Sequence, residues 1–412
     1  MGHPAAVQKQ KYNEGTSYKV LFIIGLCHLL NDTIQAVVPA MFPILEKSMG
    51  LTYTELGFIA FSLNIVSSVL QPVTGILTDR KPMPFALPIG LAISLAGVLG
   101  LALAGNFLSI VLSVVLIGLG SAIFHPEGSR VAYMAAGTKR GLAQSIYQVG
   151  GNTGQALAPL ITALILVPLG QRGASWFTLA AALASGLLVY IAFWYSGKLK
   201  EEKQLGLKKS RAGKKRQTAL KNKIVLSLAV ILFLIFARSW YISAITNFYA
   251  FYAISVYSFT ITQAQVFLFA FLAAGAAGTF FGGPLSDRFG KKRIIFVSMA
   301  ASAPFSILLP YMPKELAFIF LLLTGFILMA SFSVTVVYAQ ELVPGKIGTM
   351  SGLTVGLAFG MGAIGSVALG WLADMIGLPL TLAVTGFLPL LGLLSAVLPS
   401  DRQLAEMQAE DI

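Results

Sequence analysis

The sequence predicts an all-α integral membrane protein of twelve transmembrane helices, arranged as two pseudo-symmetric six-helix bundles. Three observations carry this. The 412 residues are 56% hydrophobic and only 11% charged, whereas a soluble domain has about 25% charged residues; mean hydropathy is +0.80. Apolar runs of spanning length, about 20 residues each, recur along the whole chain. A short pattern also repeats: GILTDR at 75–80 returns as GPLSDR at 283–288. A recurrence half a chain apart marks two parallel copies of one unit, an architecture that transporters use.

In chain order, a polar opening of nineteen residues precedes span one, 20–42, whose flanks lack the A-x-A site of a cleavable signal. Span two, 53–76, runs into the Asp79-Arg80 loop. Spans three and four, 84–105 and 107–136, follow after short connections, and span four holds a proline, Pro126, among apolar residues. Pro126 has no N–H, so the carbonyl of Ala122 loses its helical partner; irregular backbone is tolerated at membrane depth where it lines a cavity or is buried in protein. Span five, 141–168, carries Gly150, Gly154 and Ala158, and span six covers 173–195. The exception to short linkers is 196–223, with KLKEEKQLGLKKSRAGKKRQ, expected to be a mobile basic connection. Spans seven to twelve are expected at 224–253, 262–284, 292–311, 315–342, 347–375 and 379–399. Span eleven has glycines at 348, 352, 356 and 360, a small-residue stripe that lets helices approach closely. The expected domains are therefore a first bundle at 1–195, the linker at 196–223 and a second bundle at 224–412.

Charge gives sidedness. Of the 29 Lys and Arg, all but five fall on one side of these spans; Lys47, Arg172 and Lys314 lie on the other, and Arg130 and Arg238 lie inside. The positive-inside rule places both termini and the linker in the cytoplasm. The same placement argues against nucleic acid as partner, because the net charge of +13 resides in loops that set topology and contact anionic lipid. The single cysteine, Cys27, permits no disulfide within the chain. No ATP-binding motif is present, so transport would be driven by a gradient.

Gly283-Pro-Leu-Ser-Asp287-Arg288-Phe-Gly290-Lys291-Lys292 resembles the loop signature G-x-x-x-D-R-x-G-R/K-R/K of the major facilitator superfamily. The N-terminal copy departs from it after Asp79-Arg80, where Lys81-Pro82-Met83-Pro84 follow. HLLNDTIQ (28–35), LQPVTGILTDRKPMPFALPIG (70–90), FHPEGSRVA (124–132), GLAQSIYQVGGN (141–152), VYAQELVPGKIG (337–348) and GLAFGMGAIG (356–365) resemble the bacterial fosmidomycin resistance protein family from about residue 20 to 400. That resemblance implies the major facilitator fold and a bacterial inner-membrane antiporter that exports fosmidomycin or a similar small anionic drug in exchange for protons; a monomer is expected. It also implies gating roles for Asp79, Arg80, Asp287 and Arg288.

Charged groups inside spans cost about 2.5–3.5 kcal/mol each on insertion scales, so they mark function. At about 1.5 Å per residue, Asp32, Glu127 and Arg238 lie at similar depths, which suggests one shared site. His28, Asn31, Asp32 and Gln35 follow i, i+3, i+4, i+7 spacing and so share a helix face; the alternative is a polar packing seam, for which a carboxylate is a costly device. The proton-coupling candidates are Asp32, Glu127, His28 and His125. Glu127 and Arg130 are i, i+3 and can pair, either as a titrating couple or as a permanent salt bridge. The substrate-binding candidates are Arg130, Arg238, Asn31, Gln35, Trp240, Tyr241, Asn247, Tyr338 and Gln340, with arginine favoured for its forked donors toward phosphonate oxygens.

A symporter for an organic anion or sugar is the alternative within the same fold. A membrane-embedded enzyme would need a nucleophile or metal constellation. His28 and His125 could in principle share a metal, yet no His/Cys/Asp set stands at ligand spacing, and neither cofactor nor metal is expected.

Overall fold

The computed structural model describes residues 15–51, 53–204 and 218–409, and these are helical throughout their length apart from short connections. In chain order the α-helices are α1 (Tyr18–Ala40), α2 (Phe42–Met49), α3 (Tyr53–Arg80), α4 (Ala86–Leu103), α5 (Phe107–Ala135), α6 (Arg140–Ala156), α7 (Ala158–Ile161), α8 (Val167–Leu169) and α9 (Trp176–Gln204). They continue as α10 (Thr218–Tyr257), α11 (Ile261–Phe289), α12 (Lys291–Leu308), α13 (Lys314–Met329), α14 (Ser331–Leu342), α15 (Ile347–Ile376), α16 (Leu378–Thr385) and α17 (Asp401–Ala409). Eleven segments among the described residues are continuous and apolar enough to cross a bilayer. The twelfth span is the broken run α6–α8, which passes through a π-helical turn at Thr162–Leu166. Pro159 and Pro168 cannot donate the i→i−4 bond, so a straight helix over 141–168 is not formed and each proline restarts a short one.

α5, by contrast, runs unbroken through Pro126, so the irregular backbone expected there does not occur. α9 continues to Gln204 and α10 begins at Thr218, so residues 196–204 and 218–223 of the connection expected to be mobile are helical; residues 205–217, like 1–14, lie outside the described residues.

Two apolar cores form, one built from Val20 to Tyr195 and the other from Ile224 to Leu404. These are the two six-helix bundles. Phe22, Leu103, Leu164, Phe193 and Val367 are each more than half exposed, the outer surface expected where lipid is the solvent. The bundles meet along two seams, α3 against α15 and α6 against α11. The glycine stripe of α15 faces α3: a Cβ on Gly348 or Gly352 would drive into Arg130 or the backbone at Gln71, and one on Gly356 would stand 2.7 Å from Ser68 O. On the other seam Gly141 and Gly283 stand backbone to backbone. Small residues here let the bundles touch through main chain, a surface smooth enough to part and re-form.

Candidate functional site

The polar stripe of α1 is buried as a unit. Asp32 is 1% exposed. Its Oδ1 accepts from Asn31 Nδ2 (2.9 Å) and Gln35 Nε2 (3.1 Å), and its Oδ2 accepts from Gln155 Nε2 of α6 (2.9 Å). Two imidazoles face the same carboxylate: His28 Nε2 lies 3.5 Å and His125 Nε2 3.3 Å from Oδ1. Gly151 of α6 makes the arrangement possible, because a Cβ there would collide with the His28 ring and stand 2.9 Å from Asp32 Oδ2.

Hydrogen bonding sets the tautomers. His28 Nδ1 is 2.7 Å from the carbonyl of Tyr147, and His125 Nδ1 is 2.9 Å from the carbonyl of Ser121. A carbonyl only accepts, so both Nδ1 atoms carry hydrogen. In their neutral forms both rings therefore aim an Nε2 lone pair at Asp32. Acceptor facing acceptor in a dry site is unfavourable, and one added proton, on His125 or on the carboxylate, turns repulsion into a charge-assisted hydrogen bond. The cluster's three donor atoms lie within 4.8 Å of one another, so the expectation that no ligand-spaced set exists is corrected: folding assembles one from α1 and α5. Three amides already occupy lone pairs of Asp32, an arrangement that competes with a metal cation.

Beside the cluster lies a cavity of about 480 Å³ between the bundles. Its polar lining is amide-rich, with Gln35, Asn64, Asn152, Gln155 and Asn247, and it includes no charged side chain. Gln35 and Gln155 thus touch both Asp32 and the cavity. Gln35 Oε1 also accepts from Ser121 Oγ, next to His125. Phe359 of α15 lines the same cavity and lies edge-on to His125, centroids 5.6 Å apart, so the second bundle touches the cluster directly.

Toward the basic face the bundles are locked by two equivalent contacts. Asp79, at the end of α3, accepts from Gly348 N (3.0 Å) and Thr349 N (2.8 Å) at the start of α15. Asp287, at the end of α11, accepts from Gly141 N (2.8 Å) and Leu142 N (2.9 Å) at the start of α6. Each aspartate captures the positive end of a helix from the opposite bundle. Arg130 reinforces the first lock, donating to Asp79 Oδ1 (2.6 Å), Thr78 Oγ1 (3.0 Å) and Glu127 Oε1 (2.8 Å). Beside the second, Glu341 receives Arg140 (3.1 Å) and Lys291 (3.1 Å), and Lys291 also reaches Asp401 (2.9 Å).

The family model of the Major Facilitator Superfamily matches residues 21–355. The chain belongs to the Major Facilitator Superfamily. Its relatives include an uncharacterised MFS-type transporter, YfnC, of Bacillus subtilis (strain 168), 64% identical over 95% of each chain. The fosmidomycin resistance protein of Escherichia coli (strain K12) is 45% identical over 94% of each, which places this chain in the bacterial fosmidomycin resistance protein family. Among solved structures, the proton:xylose symporter XylE superposes with a TM-score of 0.76 at 17% identity, covering 97% of this chain and 100% of that one. The human organic anion transporter MFSD10 gives 0.70 at 16% identity, covering 92% and 98%. At such identities these two establish the twelve-helix fold alone. The chain is a multi-pass membrane transporter of the superfamily.

Within this facilitator fold the residues singled out in the sequence separate into three places. Asp32, His28, His125, Asn31 and Gln35 come together. Glu127 does not join them, because two residues of helix turn it to a different side of α5 from His125; it pairs with Arg130 at the lock. Arg238 lies apart in the second bundle, 2% exposed, with long contacts to Ser331 Oγ (3.3 Å) and Thr335 Oγ1 (3.4 Å) and Phe332 beneath it. The single shared site expected from equal depth is therefore corrected.

Arg130 is engaged by two carboxylates and lies in the lock, not the cavity. Tyr338 donates to Pro399 O (2.8 Å), and Gln340 joins the bundles by donating to Ser129 Oγ and Ser351 Oγ; both lie toward the basic face. Trp240 packs tilted against Phe236, and Tyr241 is buried in the second core. None of these five lines the cavity, whereas Gln35 and Asn247 do. Of the gating pairs, the aspartates make the contacts and Arg80 and Arg288 are exposed. Sequence reasoning missed Gln155, Asn152, Asn64 and Phe359. Asn152 and Gln155 carry a usable signal: with Gln144 and Gln148 they fall at i, i+4, i+8 and i+11, one helix face, the same kind of signal that singled out α1.

Proposed function

We propose that this transporter is a proton-coupled antiporter of the bacterial inner membrane that exports fosmidomycin or a similar small anionic drug by alternating access. Kinship with a protein named for fosmidomycin resistance supports the substrate. The observation that carries the coupling is Asp32 between two imidazole Nε2 atoms, with Gln35 and Gln155 linking it to the cavity. In this reading the basic face, with both termini, is cytoplasmic and is closed by the Asp79 and Asp287 locks, so the cavity faces outward. The bundles at 1–195 and 224–412 rock about the intervening linker, and the protein acts as a monomer.

Arg238 supplies positive charge for the substrate. Ile242 and Thr246 line the cavity at i+4 and i+8 from Arg238, so Arg238 stands one turn, about 5.4 Å, below the cavity floor on the same helix face. A cation without a carboxylate partner among the described residues has reason to meet an anion. Glu127 serves the lock in this reading, and Asp32 with its histidines carries the proton.

The test is reconstitution in liposomes with a trapped pH dye and a gradient of fosmidomycin. Drug-driven proton movement of opposite direction, lost in Asp32→Asn, is the expected result. Drug flux without proton movement would overturn the exchange reading, and proton movement in the same direction as the drug would replace antiport by symport.

A further inference from the structure

Antiport of an anion and a proton poses an electrostatic problem. A proton bound near the cavity attracts an anion, and two ligands that attract each other travel together. Exchange needs a device that makes them exclude one another. The position of Gln155 supplies one, an inference that rests on the antiport reading above.

Gln155 Nε2 donates to Asp32 Oδ2 at 2.9 Å. Because a carboxylate only accepts, the amide orientation is set: nitrogen toward Asp32, and the other arm, Oε1, for the cavity that Gln155 lines. Gln35 differs, since its Oε1 already accepts from Ser121 Oγ. The two faces of the Gln155 amide are thus divided between proton site and substrate site. Gln155 also sits at the last turn of α6, beside the α6–α7 break, and Asn152, one turn earlier, donates to Thr279 Oγ1 of the second bundle (3.0 Å). A side chain at such a helix end can turn without unpacking a core.

We propose that Gln155 is the positioning residue that makes drug and proton mutually exclusive, and that it does so by selecting substrates that carry a hydrogen-bond donor in addition to their anionic group. A ligand O–H or N–H that donates to Oε1 polarises the amide and strengthens its Nε2–H···Oδ2 bond, which holds Asp32 as the bare carboxylate. A proton entering the cluster, on His125 Nε2 or on Asp32, drains charge from that carboxylate and loosens its hold on Gln155. The released amide turns its –NH2 to the cavity, where it meets the ligand's donor. Each ligand therefore weakens the site of the other through one side chain, although their charges attract.

The experiment compares wild type with Gln155→Met, similar in length but without either amide arm, in the full chain in liposomes. Two quantities are read: the proton:drug ratio, and drug-for-drug exchange at equal pH. Gln155→Met is expected to weaken drug binding and slow exchange several-fold while losing most drug-driven proton movement, so that the ratio falls toward zero; a structural role would lower both together and leave the ratio unchanged. The second probe is fosmidomycin, which carries an N-hydroxy O–H as well as its phosphonate, against its O-methyl analogue. The analogue is expected to compete several-fold more weakly on wild type and equally with the parent on Gln155→Met. Wild-type coupling with an unchanged ratio in Gln155→Met overturns the inference and leaves antiport standing. Drug flux in wild type with no proton movement removes the antiport reading itself. If Gln155→Met does not reach the membrane, equal competition by the analogue on wild type overturns the inference alone.

Discussion

The carboxylate Oδ1 of Asp32 and the Nε2 of His125 lie 3.3 Å apart with both side chains shut from solvent, and His125 Nδ1 is already committed to the Ser121 carbonyl. With that tautomer set, the pair is attractive only when it holds a proton. Replacing His125 with asparagine puts an amide donor near the carboxylate permanently, a stand-in for the protonated state. The expected outcome is a folded protein whose drug export no longer responds to an imposed pH gradient. A gradient response equal to wild type, measured as drug flux at inside-alkaline and inside-acid pH, would remove His125 from the proton site.

Gly151 carries a second prediction. A methyl group there meets the His28 ring and Asp32 Oδ2, and overpacking of this kind costs about 1–3 kcal/mol. Gly151→Ala should lower the melting temperature in detergent and abolish coupled transport. His28→Ala on the same chain removes the obstructing ring, so the double variant should regain most of the lost stability. Additive losses in the two variants would show that the clash is relieved elsewhere.

How much of this was legible beforehand depends on the range of the signal. Span count, the two bundles and the α1 stripe follow from local patterns, apolar runs and a helical period, and they stand in the structure. The Asp79 and Asp287 locks were foreshadowed by the repeated loop pattern. The error was to group Asp32, Glu127 and Arg238 by depth, because depth along a helix says nothing about azimuth. His125 and Glu127 are two residues apart and face different neighbours. Gln155 was not recognised because its meaning depends on α6 packing along α1, a contact set by Gly150 and Gly154 against the α1 backbone. Tyr338 and Gln340 carry polar groups in an apolar span, as Gln155 does, yet one donates to Pro399 and the other to Ser129 and Ser351.

The lock separates two arginines that look alike in sequence. Arg130 is held by Glu127 and Asp79 in a mostly buried site, and removing one partner of such a set costs about 3–5 kcal/mol. Arg80 is exposed, where ion pairs contribute about 0–1 kcal/mol. Arg130→Ala should therefore open the basic face, seen as faster labelling of a cysteine placed at Ser129 in a Cys27→Ser background, whereas Arg80→Ala should label at the wild-type rate. Equal labelling of the two would mean that the Asp79 grip on the α15 N-terminus closes this face without help from Arg130.

Arg238 gives the last prediction. Its guanidinium is buried with two long hydroxyl contacts and an aromatic face as company among the described residues, an expensive placement for a structural residue. Replacing a buried charge by an apolar side chain of similar reach is often neutral or stabilising, by about 1–4 kcal/mol for buried ion pairs. Arg238→Met should therefore melt at or above the wild-type temperature while losing affinity for the anionic drug. Arg238→Lys retains the charge without the fork and should fall between the two in affinity. The combination matters: a residue kept for packing would lose stability on substitution and leave drug binding intact. Isothermal binding of fosmidomycin beside thermal melting of the same preparations separates the cases, and a destabilised Arg238→Met that binds drug as wild type would assign Arg238 to the second core instead.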